Sequence, residues 1–190
     1  MGYLVNGSYF DRGFADSLSM IVTDSQATAK LYQERLGLEL FVAGTFIDSD
    51  FILKDSTVRS YQYVTMINPS PAKGGLLFAQ VVQYCAEHYP QISFLVVESR
   101  GHFDLCWKSI HNGADRALPS NLTIQPNTKD MKSIYAKTKV LFAMSCSFES
   151  GARVLVEANL NGIPTIVSRH VGSPEMIGKG GLSLIYLKLF

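Results

Sequence analysis

The sequence has no surplus of basic charge, no long apolar run and no paired cysteines, and each absence excludes a class of protein. Lysine and arginine number 17 against 16 aspartates and glutamates, giving a net charge of +1. Neither a basic stripe able to neutralise phosphates along a nucleic acid nor an acidic tail is present, so no nucleic-acid partner is expected. No apolar run approaches the roughly 18 residues needed to span a bilayer, so no transmembrane segment is expected. The first eight residues, Met1 to Ser8, lack a basic segment followed by an apolar core, which predicts a soluble, unexported chain. Cys85, Cys106 and Cys146 are odd in number and form no CxxC pair. That argues against a disulfide framework or a zinc site and for a reducing compartment. The sequons Asn6-Gly-Ser8 and Asn121-Leu-Thr123 read as chance matches, and there is no internal repeat or low-complexity tract.

What is present is an ordinary globular composition, 47% hydrophobic and 17% charged over 190 residues. That length suffices for one substantial core, or for one domain and a piece of another. Residues 11 to 18 read as helical or irregular, and Ser19–Thr23 as a short strand closed by Asp24-Ser25, whose side chains can cap a helix over Gln26 to Leu36. Gly37 ends that helix, Leu38 to Val42 is a further apolar run, and rising Ser and Asp content places a hinge near residues 45 to 60.

From residue 61 a regular alternation begins. Tyr61 to Ile67 is rich in aromatic and β-branched residues and is stopped by Asn68-Pro-Ser-Pro71. Lys73-Gly74-Gly75 opens an amphipathic helix that ends near Pro90, and Ile92 to Val97 has the continuous apolar pattern of a strand buried on both faces. His102 to Ile110 reads as a short helix, with Cys106, Trp107 and His111 in packing and surface roles rather than as ligands. Strands over Leu122 to Gln125 and Lys139 to Met144 flank a helix at about Asp130 to Lys137. A helix carrying Glu157, a strand ending at Ser168, a helix from Gly172-Ser173-Pro174-Glu175 and a strand over Leu182 to Leu187 complete the series. The fold class that follows is α/β, a doubly wound, Rossmann-like parallel sheet with right-handed crossovers. Ligands in such sheets bind beyond the carboxyl ends of the strands, where Asn68 to Lys73, Pro126, Ser145 to Ser150 and Arg169 to Ser173 fall.

Three constellations occupy that end. Lys73 with Gly74 and Gly75 combines a point charge with the start of a helix, an arrangement suited to a phosphate but also to a plain turn; GxxxxGK[ST] is absent. Glu149-Ser150-Gly151-Ala152 precedes the helix of Glu157, so the amides of Ser150, Gly151 and Ala152 could receive an anion while the two carboxylates take sugar hydroxyls. Acidic residues in a first helical turn and a solvated Glu157 would explain the same pattern. In the third, Ser173 is expected to cap, Pro174 to take the first helical position and Glu175 to favour the dipole.

Together these residues resemble the nucleotide-sugar-dependent retaining glycosyltransferases of the GT-B fold, group 1 or family 4 type. The matching elements are Lys73-Gly74, the E-x7-E pair Glu149 and Glu157, Asn161-Gly-Ile-Pro-Thr-Ile-Val-Ser168 and Gly172-Ser-Pro-Glu175. The resemblance covers residues 61 to about 181 and, more loosely, Met20 to Asp48. It implies residues 1–48 as the remnant of an acceptor-side domain with its linker, and 49–190 as a donor-binding domain truncated at its C-terminus.

The resemblance further implies that Glu149 and Lys73 serve the transfer, one on the donor-sugar hydroxyls and the other on the leaving diphosphate. It places Glu157 at the ribose, Pro126 and Asn127 at the base by backbone contacts, and Gly74, Ser150, Gly151, Ala152, Gly172 and Ser173 around the donor. Many members carry an arginine five positions before the lysine, where this chain has Asn68. Phosphate charge would then rest on Lys73, or be shared with Arg100 or Arg169.

The activity implied is hexosyl transfer from a UDP- or GDP-sugar to a glycan or lipid-linked acceptor, with no cofactor and no metal, as in polysaccharide biosynthesis. The implied partners are a nucleotide sugar, that acceptor and a separate acceptor-domain chain, in the cytoplasm or peripheral to the inner face of the membrane. Two other readings remain open: a non-catalytic nucleotide-sugar-binding module, and another sugar-nucleotide enzyme such as an epimerase on the same fold.

Overall fold

A computed structural model describes residues 12–53, 58–169 and 172–184. The sequon at Asn6, residues 54–57 of the expected hinge and the end of the last expected strand, 185–187, lie outside them. The chain opens with α1 (Arg12–Asp16), then β1 (Val22–Thr23), α2 (Gln26–Leu36) and β2 (Phe41–Val42). The helix of this unit has the predicted bounds. Ser25 is its N-cap and accepts from the Thr28 amide, while Gly37 closes it at φ 65 in the left-handed region, where a residue without a Cβ fits best. The flanking strands are shorter than expected and pair in parallel as a separate two-stranded sheet.

The larger unit alternates strand and helix as its apolar pattern requires. It comprises β3 (Tyr63–Ile67), α3 (Gly75–His88), β4 (Ser93–Val97), α4 (Phe103–Ile110), β5 (Leu122–Gln125), α5 (Met131–Lys137), β6 (Thr138–Ala143), α6 (Arg153–Leu160), β7 (Thr165–Ser168), α7 (Ser173–Ile177) and β8 (Gly181–Leu184). Six parallel strands run in the order β5-β4-β3-β6-β7-β8. Both faces are covered, which is why β4 reads as an unbroken apolar run. Phe94 and Val96 pack with Phe78, Val82, Phe103 and Trp107 on one side, and Leu95 and Val97 with Ile134 on the other. Beyond the switch in strand order, Leu141 and Val167 bury Tyr135, Leu155, Ile163 and Ile177.

The expected hinge is not a loose connection over the part described. The Asn161 side chain, at the end of α6, accepts from the Leu53 amide at 2.7 Å and donates to the Phe51 carbonyl at 2.9 Å. On the far side of the gap, the Ser60 and Gln62 amides bond to the carbonyls of Ala136 and Lys137. Two stretches of chain are thus held through backbone groups that would otherwise need water.

The strand order places the functional end. The chain leaves β3 toward β4 and β5, then returns to lay β6 on the opposite side of β3. The loops following β3 and β6 therefore diverge, opening a crevice at the carboxyl end of the sheet.

Candidate active site

Two loops meet in that crevice. The one after β3 makes a single 3-10 turn, Pro71–Lys73, with Ser70 before it and Gly74 at φ 88 after it. The amides of its two glycines are taken up within the loop. The Gly74 amide donates to the Pro71 carbonyl and the Gly75 amide to that of Ser70. What requires glycine is proximity: a Cβ at Gly74 would lie 2.2 Å from the Met144 carbonyl oxygen, and one at Gly75 2.2 Å from that of Pro69. The β3 loop is thereby pressed against the end of β6.

The second loop, Met144 to Ala152, brings Glu149 to Lys73. The Lys73 ammonium bonds to Glu149 Oε1, and the Ser145 hydroxyl lies 3.0 Å from the same oxygen. Glu149 is 7% exposed whereas Lys73 remains partly open to solvent. The carboxylate is therefore fixed and its cation can still reach outward. Cys146 ties the loops further, its amide donating to the Ala72 carbonyl at 2.9 Å, and the Ser168 hydroxyl donates to the Ser145 carbonyl at 2.7 Å. No described residue bonds to Glu149 Oε2. The pair as it stands offers an anion a lysine and offers a hydroxyl a carboxylate oxygen.

Helix α6 begins at Arg153, later than expected, with Ala152 as its N-cap and no side-chain cap. Ser150 and Gly151 consequently form the turn before the helix rather than its first residues. Gly172 packs on that turn: its amide donates to the Glu149 carbonyl at 3.0 Å, and a Cβ there would lie 2.1 Å from the Ser150 carbonyl oxygen. Gly172 is also the N-cap of α7, which corrects the assignment of that role to Ser173. Ser173 is instead the first helical residue, buried and without a side-chain capping bond, because the close approach of residue 172 to the turn moves the helix start back by one.

Glu157 is 3% exposed. Its Oε2 accepts from the Tyr135 hydroxyl and its Oε1 from Arg153 Nη2 at 3.1 Å. Burial, then the bond to Glu157 and its charge, push the Tyr135 phenol well above its ordinary value, so it remains a donor. Glu157 is thus neither solvated nor unpaired. Replacing Tyr135 with phenylalanine removes a donor from a buried carboxylate, and a stability loss of about 1.5 kcal/mol is expected in urea unfolding. No loss would show that Arg153 alone satisfies the carboxylate.

The remaining expected residues lie around this centre. Asn68, at φ 61, accepts from the Gly101 amide through Oδ1 at 3.0 Å, joining the loops that follow β3 and β4. Pro126 and Asn127 are exposed just past the end of β5, at the same end of the sheet. Arg100 and Arg169 are exposed and form no ion pair among the described residues. Cys106 and Trp107 are buried in the core beside α3, as their packing roles require.

Sequence reasoning placed Ser145 at the ligand end of the sheet without giving it a role, and passed over Tyr135 and Asp24 as site components. Ser145 carried a signal, since it follows a strand at its carboxyl end; Tyr135 and Asp24 carried none, because their partners lie 22 and 126 positions away. Among the described residues no group of three or more His, Cys, Asp or Glu side chains could hold a metal ion, and no helix is long and apolar enough to cross a membrane.

Residues 73–185 match the family model of the glycosyl transferases group 1. No curated protein matches in sequence. Several solved structures share the fold. Anabaena HepE in complex with UDP and glucose is 22% identical at a TM-score of 0.68, over 88% of this chain and 50% of that one. The pneumococcal O-GlcNAc transferase GtfA in complex with UDP and GlcNAc is 18% identical at 0.74, over 98% and 38%. TarM of S. aureus is 14% identical at 0.74, over 98% and 39%. The chain spans half or less of the length of these structures.

Proposed function

Because the chain belongs to the glycosyl transferases group 1, we propose that its crevice binds a nucleoside-diphosphate sugar and that it works as the donor half of a retaining glycosyltransferase. The single observation that carries this reading is the convergence of Lys73 and Glu149 at the switch in strand order. In this reading the diphosphate lies against Lys73 and the start of α6. Lysine has three N–H donors, so it can keep Glu149 and still take phosphate oxygens. As the bond to the anomeric carbon weakens, negative charge grows on the departing diphosphate, and a cation already in place favours that state over the ground state. Glu149 Oε2 would accept a sugar hydroxyl. The Glu157 carboxylate, held by Tyr135 and Arg153, would accept the ribose hydroxyls only by sharing an oxygen with one of those donors. Pro126 and Asn127 would flank the base.

The reading involves no cofactor and no metal. The acceptor, a glycan or lipid-linked sugar, would be brought by an acceptor-side domain to which residues 1–48 belong, with 49–190 as the donor-binding domain. Free thiols at Cys85, Cys106 and Cys146 fit a reducing compartment, and we assign the cytoplasm, at most peripheral to a membrane.

Isothermal calorimetry tests the donor site. We expect UDP or GDP, with the corresponding sugars, to bind at micromolar to millimolar levels; no binding of either series at millimolar concentration sinks the assignment. A second reading is a nucleotide-sugar-binding module without transfer. Binding with neither sugar transfer nor donor hydrolysis would select it, and NMR of the products would expose an epimerised sugar.

A further inference from the structure

The β1–α2 turn of the first unit reaches into the site. Asp24 Oδ2 accepts from the Ser150 hydroxyl at 3.2 Å. A Cβ at Gly151 would lie 2.7 Å from the same Asp24 oxygen and 3.0 Å from Thr45 Oγ1, so the first unit lies directly over the turn that follows Glu149. The contact is returned from the other side. Glu175, in the first turn of α7, places Oε1 2.8 Å from the Gln26 amide and Oε2 3.1 Å from the Ala27 amide. Those amides are among the unpaired donors at the start of α2, and a carboxylate there is favoured by both hydrogen bonding and the helix dipole. The two units are therefore joined by two carboxylates acting in opposite directions, Asp24 accepting from Ser150 and Glu175 from residues 26 and 27.

A turn containing glycine needs external restraint to hold one conformation. Here Glu149, Ser150 and Gly151 are held at three points: the Glu149 carboxylate by Lys73 and Ser145, the Glu149 carbonyl by Gly172, and the Ser150 hydroxyl by Asp24. Two of these restraints come from the donor-binding unit itself and one from the first unit. We propose that Asp24 is a positioning residue for the donor sugar: through Ser150 it sets the turn that aims the Glu149 carboxylate and the neighbouring amides at the sugar, with Glu175 seating the first unit in return. This rests on the donor-site reading above and adds that residues 12–48 complete the sugar pocket. It predicts that Asp24 acts chiefly on the sugar, because the diphosphate is also held by Lys73, which Asp24 does not touch.

The test compares affinities for UDP and UDP-glucose, and for GDP and GDP-mannose, by calorimetry on the full chain. In Asp24→Ala the nucleoside diphosphate should bind within about two-fold of wild type, while the gain from adding the sugar falls by about five- to ten-fold, the net worth of one ordinary hydrogen bond. Asp24→Asn keeps an acceptor for the Ser150 hydroxyl and should restore most of the gain. Ser150→Ala should match Asp24→Ala, and the double variant should lose no more than either, since both act through one contact. An unchanged sugar gain in Asp24→Ala overturns the inference. So does an equal fall in nucleotide and nucleotide-sugar affinity, which marks a merely structural link, or a full further loss in the double variant. Wild-type chain that binds a nucleotide but gains nothing from either sugar overturns it while leaving nucleotide binding intact. If wild type binds none of the four, the functional reading fails and this inference with it.

Discussion

Replacing Lys73 with alanine will weaken nucleotide-sugar binding by about 10- to 100-fold while the unfolding midpoint stays almost unchanged, which calorimetry and urea unfolding will show together. The size follows from losing one charge-assisted contact to a diphosphate, worth about 1.5–3 kcal/mol. The small stability effect follows from position. Lys73 is partly exposed, so its ion pair with Glu149 is screened on one side and contributes little to folding. Removing the cation leaves Glu149 with the Ser145 hydroxyl, and water can enter the space that Lys73 vacates. Glu149→Ala should likewise lower affinity for the sugar nucleotide, and more for it than for the nucleotide alone. If Lys73→Ala unfolds the chain instead, the ion pair is a structural element of the crevice and its assignment to the diphosphate is lost.

A single methyl group at Gly74 will cost more than any other change considered for the fold, on the order of 3 kcal/mol in urea unfolding. Two effects combine. At φ 88 an L side chain is strained, which costs about 1–2 kcal/mol. The new Cβ would also sit 2.2 Å from the Met144 carbonyl oxygen, a backbone atom that cannot rotate away, so the two loops must separate. Gly113→Ala isolates the first effect, since Gly113 has φ 82 but nothing within 4 Å of a Cβ, and about 1 kcal/mol is expected there. Equal losses at the two positions would mean that the loops move apart freely, and Lys73 would then owe nothing to the contact beneath it.

The pattern of apolar residues carried much of this architecture. Helix α2 has the bounds that Ser25 and Gly37 signal, because an N-cap side chain and a left-handed C-terminal glycine act within a few residues of the helix they delimit. Strand β4 was legible as doubly buried from its unbroken apolar run, and Cys106 and Trp107 as packing residues from their place on a short helix. Where the reading strayed, the cause lay in distant contacts. Gly74 and Gly75 read from the sequence as either a phosphate site or a plain turn, and it is a carbonyl 70 positions away that demands the first of them. Ser173 satisfies the local rule for a cap, but Gly172 takes that place because it packs against Ser150. Residues 49–53 fall inside the stretch that rising Ser and Asp content marks as a hinge, and only Asn161 shows that they are fastened to α6.

By itself, then, the sequence determined the alternation of elements, the doubly wound sheet and the residues that lie at its carboxyl end, since periodicity, caps and turns are local effects written into neighbouring side chains. Only the tertiary structure decided which of those residues meet. The pairing of Lys73 with Glu149, the enclosure of Glu157 by Tyr135 and Arg153, and the opposed links made by Asp24 and Glu175 all join positions that become neighbours only when the crossovers bring separate loops to one edge of the sheet. Their chemistry depends on distances of about 3 Å set by packing between elements, and such distances have no counterpart in spacing along the chain.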